Sequence, residues 1–302
     1  MSAVTTTTKA MTEAMTGPPP ATAAALIESS GLPRLDARAL LAQVLAVRRE
    51  RLVADPQLPV AAADAVRFAA LAQRRREGEP LAYLLGSREF YGRSFAVSPA
   101  VLVPRPETET LVDCALDALR ALHPPSAPRP RVLDLGTGSG CIAITLAREW
   151  PAAAVTAADV SDAALAVAAA NARALGADIA FRQGPWFDAL RAPADAHFDL
   201  IVANPPYIAA ADSHLHALRH EPLLALSDGG DGLGCLRALI RGAPHWLAPG
   251  GALMLEHGHD QAAAVRALLR AAGFDDVRSV ADGAGIARVA LGRVPPHRAT
   301  PV

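Results

Sequence analysis

Residues 132–140 read Val-Leu-Asp-Leu-Gly-Thr-Gly-Ser-Gly, and this stretch decides the fold. Its apolar first half predicts a buried strand over 132–135, and the residues that follow predict a helix over 139–149. Glycines between a strand and a helix permit a tight turn and a close approach of the backbone to a ligand. The dinucleotide pattern G-x-G-x-x-G is not met, because the sixth position counted from Gly136 is Cys141. Simple packing of the helix against the strand is the alternative explanation for such a loop.

The chain after residue 131 continues to alternate between predicted strands and predicted helices. The strands cover 132–135, 153–158, 178–181, 198–203 and 252–256, with a final antiparallel pair over 277–280 and 286–291. The helices cover 139–149, 162–175, 232–247 and 261–272. This alternation predicts an α/β fold in which a parallel sheet is covered by helices on both faces.

The first third of the chain predicts a smaller helical domain. Helices are predicted over 21–30, 36–48 and 60–77, then a hairpin over 89–97, a helix over 107–122 and a stiff linker over 123–130. We therefore expect a disordered tail (1–20), a helical domain (21–86), a hairpin, helix and linker (87–130), a sheet domain (131–292) and a second tail (293–302).

Composition narrows the class of protein. The 302 residues suffice for about two domains, and a hydrophobic content of 51% allows a sizeable core. The net charge of −1 provides no global attraction to nucleic acid or to an anionic membrane. No apolar run approaches the ~20 residues of a membrane helix. We therefore expect no direct nucleic-acid partner and no membrane association.

Cysteine usage indicates a reducing compartment. Cys114, Cys141 and Cys235 are far apart and match neither a disulfide framework nor a zinc pattern. The N-terminus lacks the charged and then apolar layout of a signal peptide. A cytoplasmic protein is the expectation.

Three histidines, His214, His216 and His220, are spaced in a way that suggests metal ligands. On a helix, however, only His216 and His220 would share a face. No cysteine or clear carboxylate completes a zinc set, so a solvated loop is the preferred interpretation and no metal site is predicted.

Asn204-Pro205-Pro206-Tyr207 directly follows the predicted strand over 198–203. Proline fixes φ and has no backbone N–H, so this turn is stiff and its carbonyl oxygens stay free to accept hydrogen bonds. Together with the Asn204 amide they suit a planar group that carries an NH₂, either an amide or an exocyclic amine. Tyr207 adds a flat surface beside them. A rigid turn without chemistry is the alternative, because Asn and Pro are common in turns.

Two further residues are predicted at the same edge of the sheet. Asp159 ends the second strand, where an acidic residue commonly binds ribose hydroxyls. A helix cap is the alternative, but Ser161 and Asp162 are better placed for that role. Trp186 follows the third strand and could stack on an adenine, or simply pack as a rim aromatic.

The loop G-x-G-x-G resembles motif I of S-adenosylmethionine-dependent methyltransferases. Loop, acid and Asn-Pro-Pro-Tyr also follow in the order of the amino-methyltransferases. More specific are Glu-Pro-Leu-Ala-Tyr-Leu-Leu-Gly-Ser-Arg-Glu-Phe-Tyr-Gly over 79–92, Leu-Val-Pro-Arg-Pro-Glu-Thr-Glu over 102–109, Asp231-Gly232-Leu233, Pro249-Gly250-Gly251, and Glu256-His257-Gly258 followed by Gln261. With these motifs, residues 24–292 resemble the release factor glutamine methyltransferases of the HemK/PrmC type.

This resemblance implies a Rossmann-like class I methyltransferase sheet, joined through a β-hairpin to a helical domain that helps to hold the substrate. It implies that S-adenosyl-L-methionine methylates the side-chain amide nitrogen (N5) of the glutamine in the Gly-Gly-Gln motif of class I peptide chain release factors. Implied cofactor contacts are Gly136, Thr137, Gly138, Ser139, Gly140, Asp159, Trp186 and Asn204. Implied substrate contacts are Asn204, Pro205, Pro206 and Tyr207, of which Asn204, Pro205 and Tyr207 are the catalytic candidates. We expect a monomer.

Some features depart from the family pattern, and other functions stay open. Pro185 stands where an acidic residue is expected before Trp186, and Glu107 stands where Asp is frequent. A ribosomal-protein glutamine is the nearest alternative substrate, although the form of segment 105–109 favours release factors. A DNA adenine-N6 or cytosine-N4 methyltransferase would need to flip a base, and no large DNA-recognition segment is evident. A cofactor-binding module that only docks on the translation machinery is the non-enzymatic alternative.

Overall fold

The computed structural model of the protein describes residues 21–122, 129–191 and 197–296. The chain divides into two compact units, Met1–Leu85 and Gly86–Val302. The tail predicted over 1–20, most of the linker predicted over 123–130 and the last residues of the predicted second tail lie outside the described residues.

The first unit is a small helical bundle with a short strand pair. Its elements are β1 (Ala21–Thr22), α1 (Ala23–Ser29), α2 (Arg34–Val44), α3 (Arg49–Ala54), β2 (Pro59–Val60), α4 (Ala62–Arg76) and α5 (Leu81–Leu85). The Thr22 hydroxyl caps α1 by accepting a hydrogen bond from the backbone N–H of Ala25 over 3.3 Å. The apolar faces of the helices meet in one core around Leu40, Leu41 and Phe68.

One predicted helix of this unit ends early in the structure, and the helix that follows it has no counterpart in the prediction. The single helix predicted over 36–48 begins earlier, at Arg34, and ends at Val44. The break follows at Ala46, whose φ of 52° lies in the left-handed region and cannot continue a helix. Residues Arg49–Ala54 then form a helix of their own. The pairing of β1 with β2 and the short helix α5 had no clear sequence signal.

The second unit opens with a hairpin and a long helix. The hairpin pairs β3 (Ser87–Phe90) with β4 (Arg93–Ala96), and its turn lies at Tyr91-Gly92. A 3₁₀ turn over Pro106–Thr108 precedes α6 (Glu109–Leu122), so the helix predicted from residue 107 begins as a tighter coil. Leu111 and Leu119 of α6 are fully buried.

The remaining elements form the predicted alternation. They are β5 (Arg131–Leu135), α7 (Cys141–Glu149), β6 (Ala154–Asp159), α8 (Asp162–Leu175), β7 (Ile179–Gln183), β8 (Phe198–Ala203), α9 (His214–Ala217), α10 (Gly234–Trp246), β9 (Leu247–Glu256), α11 (Ala262–Ala271), β10 (Asp275–Ala281) and β11 (Ala287–Arg293). Within the described ranges these strands build one 7-stranded sheet in the order β10-β11-β9-β8-β5-β6-β7. From β9 to β7 neighbouring strands are parallel, and β11 and β10 add antiparallel.

The sheet carries helices on both faces, as predicted. In β5, Val132 packs with α6 and α7 on one side, while Leu133 packs with α10 and α11 on the other. Both side chains are fully buried, and burial of an aliphatic side chain of this size stabilises the fold by about 2 kcal/mol. The alternation of inward positions along a strand thus produces the predicted Rossmann-like α/β architecture.

The chain order around β5 creates a crevice for a ligand. After β5 the chain adds β6 and β7 on one side, and it then crosses over to place β8 on the other side of β5. Where the strand order reverses in this way, the loops after the two central strands diverge and leave a cleft at the carboxyl edge. The loops after β5 and β8 are the glycine-rich loop and Asn204-Pro205-Pro206-Tyr207.

Several element boundaries differ from the predicted ones by one to a few residues. Helix α7 begins at Cys141 rather than residue 139, because Gly140 is left-handed with a φ of 81°. Strand β9 begins at Leu247 rather than residue 252, because Leu247 already pairs with Phe198 before a register shift leads to the pairing of Ala252 with Leu200. The last strand includes Arg293, which the sequence predicts as part of the second tail.

Candidate active site

A cavity of about 350 Å³ opens at the carboxyl edge of β5, β6 and β8. Of the residues predicted for the site, it is lined by Gly136, Thr137, Gly138, Ser139, Asp159, Trp186, Asn204 and Pro206. Gly140, Pro205 and Tyr207 do not line it. The fold therefore gathers most of the predicted cofactor contacts around one cavity, and Tyr207 lies next to it along the chain.

The glycines of the loop have different tasks. Gly136, Gly138 and Gly140 all have a positive φ, of 77°, 55° and 81°. A side chain on Gly140 would place its Cβ 2.8 Å from Cδ1 of Ile144 and 3.2 Å from Cβ of Ala168, so this glycine permits α7 to pack closely on α8. Nothing lies within 4 Å of the corresponding position at Gly138, which leaves open space beside the backbone for a ligand.

Asp134, near the end of β5, holds the glycine-rich loop in place. Its buried carboxyl accepts a hydrogen bond of 2.7 Å from the Thr137 hydroxyl. Burial raises the pKa of Asp134 from 3.8 to about 7. The backbone N–H groups of Gly136 and Thr137 both donate to the carbonyl of Ala158 on β6, so the loop is fixed to the neighbouring strand as well.

Asp159 connects the loop to the start of α8. One of its carboxylate oxygens accepts the backbone N–H of Gly138 and the other that of Ser161, each over 2.9 Å. The N-cap of α8 is Ser161, whose hydroxyl accepts from Ala164 over 3.2 Å. Asp159 is therefore not the cap of this helix. Each carboxylate oxygen has a second lone pair, so the side chain can still accept two hydroxyl donors from a ligand.

The ring of Trp186 lies against the glycine-rich loop and lines the cavity. Its ring atom Cζ3 is 3.4 Å from the position that a Cβ on Gly136 would take. The Trp186 backbone has a φ of 48°, a strained conformation for a bulky residue. Such strain is maintained only where the surrounding structure requires the side chain in one place, and here that place is the cavity wall.

Asn171 of α8 holds the loop and the hairpin together. Its side-chain carbonyl accepts the backbone N–H of Ala96 over 2.8 Å. Its side-chain nitrogen donates to the carbonyls of Ala96 and Ser139, over 3.0 Å and 2.9 Å. The side chain is buried, so these bonds are shielded from water.

The Asn204 side chain is held by a residue that sequence reasoning missed. Its nitrogen Nδ2 donates to the hydroxyl of Thr108 over 3.1 Å, and Thr108 is buried at the end of the 3₁₀ turn before α6. Because the amide nitrogen is engaged there, the amide oxygen Oδ1 is the group left to accept a hydrogen bond. Thr108 was visible in the motif over 102–109, but its contact with Asn204 depends on tertiary structure.

Tyr207 is anchored at both its backbone and its side chain. Its hydroxyl donates to Glu256 Oε1 over 3.3 Å, and its carbonyl accepts from Gln261 Nε2 over 3.0 Å. Burial raises the pKa of the Tyr207 hydroxyl far above its ordinary value, so this hydroxyl stays protonated and acts as a donor. Glu256 and Gln261 belong to the motif Glu256-His257-Gly258 followed by Gln261, which by itself predicts no role for either residue.

An ion pair forms part of the cavity wall. Arg105 lines the cavity and pairs with Glu221 over 2.5 Å. Glu221 is buried, and its second oxygen accepts the backbone N–H of Val103 over 3.0 Å. This carboxylate therefore fixes the segment that covers one side of the cavity. Its role had no sequence signal, because Glu221 lies far from Arg105 in the chain.

None of the three histidines over 214–220 lines the cavity. His214 is exposed on the short helix α9, and its ring pairs with the carboxylate of Asp212 over 2.7 Å. In the described ranges, no three His, Cys, Asp or Glu side chains come together in a way that could hold a metal ion. Those same ranges contain no helix both long and apolar enough to cross a membrane.

The sheet, its crossover and the glycine-rich loop together define a Rossmann-like methyltransferase. Comparison with protein-family models agrees: residues 112–287 match the Methyltransferase small domain. Residues 21–86, which correspond to the helical unit, match the PrmC N-terminal domain.

Comparison with curated relatives identifies a narrower family of methyltransferases. A release factor glutamine methyltransferase of Burkholderia pseudomallei (strain K96243) is 50% identical over 288 residues, which cover 93% of this chain and 99% of the relative. One of Bordetella pertussis (strain Tohama I) is 52% identical over 269 residues, covering 88% and 97%. The chain belongs to the release factor glutamine methyltransferase family.

A solved structure supports the fold alone. The N-terminal domain of human METTL16, determined in complex with SAH, aligns with a TM-score of 0.51 over 80% of this chain and 85% of that chain. Its sequence identity is 18%, so this likeness carries no argument about substrate.

Proposed function

We propose that the protein transfers a methyl group from S-adenosyl-L-methionine to the N5 atom of the glutamine in the Gly-Gly-Gln motif of class I peptide chain release factors, leaving S-adenosyl-L-homocysteine. The observation that carries this proposal is the orientation of Asn204. Its nitrogen is engaged by Thr108, so its oxygen can accept from an amide NH₂ at the cavity. The names of the curated relatives support the same substrate.

The cavity suits S-adenosyl-L-methionine in size and in chemistry. About 350 Å³ lies within the range of small-molecule sites. The backbone of residues 136–140, the carboxylate of Asp159, the ring of Trp186 and the side chain of Asn204 would hold the cofactor. When bound, this cofactor supplies an electrophilic methyl group on a sulfonium sulfur.

The substrate amide is a poor nucleophile, because its lone pair is delocalised into the carbonyl. Asn204-Pro205-Pro206-Tyr207 contains no strong base, so positioning and electrostatics have to replace deprotonation. Asn204 Oδ1 accepts one N–H bond of the glutamine amide at the cavity. The carbonyl of Pro205, which follows Asn204 in the chain without lining the cavity, accepts the other N–H bond. These acceptors hold the nitrogen in place and stabilise the positive charge that develops on it.

The other two residues of the motif complete this arrangement. Pro206 lines the cavity and keeps the turn rigid. Tyr207 packs beside the planar amide and excludes water. After transfer, the surplus proton leaves the nitrogen to water, because the two acceptors are a carboxamide and a peptide carbonyl, both weak bases.

The proposal also covers partner and location. Release factors are the partner, with no direct nucleic-acid contact, and a monomer acts in the cytoplasm. The near-neutral net charge of −1 supports the absence of nucleic-acid contact, and the free thiols of Cys114, Cys141 and Cys235 support a reducing compartment. A glutamine of a ribosomal protein is the competing substrate, because it offers the same amide.

The test combines purified protein, S-adenosyl-L-methionine, a class I release factor and ribosomal proteins in one reaction. Mass spectrometry of the Gly-Gly-Gln peptide should show one added methyl group on glutamine, and duplex DNA added in parallel should remain unmodified. A methylated ribosomal protein beside an unmodified release factor would exclude the proposed substrate. Methyl transfer to DNA alone would exclude a protein substrate altogether.

A further inference from the structure

Glu256 lies beside Asn204 at the carboxyl edge of the sheet. Strands β8 and β9 are parallel neighbours, and Ala203 pairs with Leu255. The next residue of each strand, Asn204 and Glu256, is therefore at the same level. Glu256 is only 1% exposed, and it does not line the cavity.

A buried carboxyl group needs partners, and this one has few. The Tyr207 hydroxyl donates to Oε1 over 3.3 Å. Among the described atoms, Oε2 has no hydrogen-bond partner. A carboxyl group in such a position destabilises the fold when it is charged, so its presence calls for a functional reason.

Charged and polar groups face Glu256 from several elements. Burial, which is the largest effect, and the charge of Glu107 raise the pKa of Glu256. Hydrogen bonds from the hydroxyls of Thr108 in the 3₁₀ turn and of Tyr207, together with the charge of Arg288 on β11, lower that pKa. Two of these neighbours are connected to the turn Asn204-Pro205-Pro206-Tyr207. Thr108 accepts the hydrogen bond from Asn204, and Tyr207 is itself the last residue of the turn.

The direction of the Thr108 hydroxyl proton decides which end of the Asn204 amide faces the cavity. A hydroxyl that points its proton towards a carboxyl oxygen of Glu256 can accept from Asn204 Nδ2, and Asn204 Oδ1 then faces the substrate. A hydroxyl that turns its proton towards Asn204 would instead bind Oδ1. The amide would then present its NH₂ to the NH₂ of the substrate, where two donors oppose each other.

We propose that Glu256 is a positioning residue, which keeps the Asn204 amide in its acceptor orientation by polarising the Thr108 hydroxyl and holds the turn through the Tyr207 hydroxyl. The proposal rests on the function proposed above. Glu256 acts through Thr108 and Tyr207 and touches neither the substrate nor the cofactor.

The first experiment measures Glu256→Gln with wild-type protein and with Glu149→Gln as the matched control, since Glu149 pairs with Arg93 away from the cavity. A glutamine at 256 can donate to Thr108 and so reverse the hydroxyl. We expect kcat for release factor methylation to fall about tenfold or more in Glu256→Gln. The Kd for S-adenosyl-L-homocysteine, measured by calorimetry, should remain within about twofold of the wild-type value. Glu149→Gln should match the wild type in both.

The second experiment tests whether Glu256 acts through Thr108. Thr108→Val removes the hydroxyl while keeping the shape, and Thr108→Ser restores it. We expect Val to lower kcat and Ser to recover most of that loss. In the Thr108→Val background, adding Glu256→Gln should lower kcat by less than about a further twofold. The effects of two substitutions are not additive when the residues act as one unit.

Several outcomes would overturn the proposal. A kcat equal to that of the wild type in Glu256→Gln or in Thr108→Val would do so. The proposal would also fail if Glu256→Gln lowered kcat by the same factor with and without the Thr108 hydroxyl. A defect confined to cofactor affinity would assign Glu256 to the cofactor site instead. If Glu256→Gln fails to fold by circular dichroism, the Thr108 pair decides alone. Failure of the wild type to methylate release factor would refute the proposed function, which is a different result.

Discussion

The indole of Trp186 covers Gly136, with ring atom Cζ3 3.4 Å from the site where a side chain on that glycine would begin. Both residues have a positive φ, of 48° and 77°. The loop and the aromatic wall of the cavity are thus built to fit each other, and a change at either should affect the ligand site.

Gly136→Ala should weaken cofactor binding as well as stability. Alanine at this φ costs about 1–2 kcal/mol, and the new methyl group would also press on Trp186. Gly250→Ala is the matched control, because Gly250 has a φ of 78° with nothing within 4 Å. Denaturant unfolding should show similar losses in both variants, while calorimetry should show weaker S-adenosyl-L-homocysteine binding only in Gly136→Ala. Equal cofactor affinity in the two variants would argue against a cofactor contact at the glycine-rich loop over 136–140.

Asp159→Asn should raise the Kd for the cofactor with little change in kcat. The substitution removes a charged acceptor from the cavity and forces an NH₂ towards one of the backbone N–H groups of Gly138 and Ser161. A loss of about 2 kcal/mol, or roughly 30-fold in Kd, is expected for a charge-assisted bond. Asp162→Asn serves as the control, since Asp162 is exposed and does not line the cavity. An unchanged Kd in Asp159→Asn would remove Asp159 from the cofactor site.

Asn204→Ala should affect turnover far more than cofactor binding. Loss of one oriented acceptor costs on the order of 3 kcal/mol in the transition state, or about 100-fold in kcat, by analogy with the loss of a donor from an oxyanion hole. Single-turnover methylation of release factor measures this directly. Turnover close to the wild-type value would exclude the acceptor mechanism.

Glu256→Gln should change how stability depends on pH. Burial raises the pKa of Glu256 from 4.5 to about 7, so the folded state holds this proton more tightly than the unfolded state. The resulting stabilisation is fully present below the unfolded value and is lost as pH rises through the folded value. The total is on the order of 3 kcal/mol. Urea unfolding from about pH 5 to about pH 8 should therefore show that the free energy of unfolding of the Gln variant rises relative to that of the wild type as pH rises. A constant difference across this range would contradict the raised pKa.

Glu221→Ala should destabilise the wall of the cavity. It leaves the Val103 N–H without its acceptor and Arg105 without its buried partner, at a cost of about 1–3 kcal/mol. Glu149→Ala breaks the more exposed pair with Arg93 and should cost about 0–1 kcal/mol. Thermal unfolding with and without S-adenosyl-L-homocysteine separates the two cases, because only Glu221→Ala should also reduce the stabilisation by ligand. Equal shifts in both variants would show that the ion pair is ordinary surface structure.

Local periodicity was sufficient for much of the sheet domain. Helix α8 and strand β8 have the predicted bounds, because each combines a clear apolar pattern with a clear end: Ser161 and Gly176 flank the helix, and Asn204 follows the strand. The loop after β5 and Asp159 were also visible, since both sit at strand ends where the fold class requires ligands.

The supports behind these residues could not be predicted in the same way. Thr108 and Glu256 lie in motifs that were noticed, yet their relation to Asn204 depends on β9 lying next to β8 and on where the 3₁₀ turn ends. Strand order and the path of a turn are set by tertiary packing. A sequence read locally gives the reactive group, while the groups that orient it come from distant segments.

Asn171 bonds to Ala96 in the hairpin and to Ser139 in the loop with one buried side chain. A shift of either segment alone would break a shielded hydrogen bond, so the two segments have to move together or stay in place. A displacement of the hairpin therefore also displaces the glycine-rich loop at the cavity. Because such coupling acts in both directions, a ligand that orders the loop also orders the hairpin.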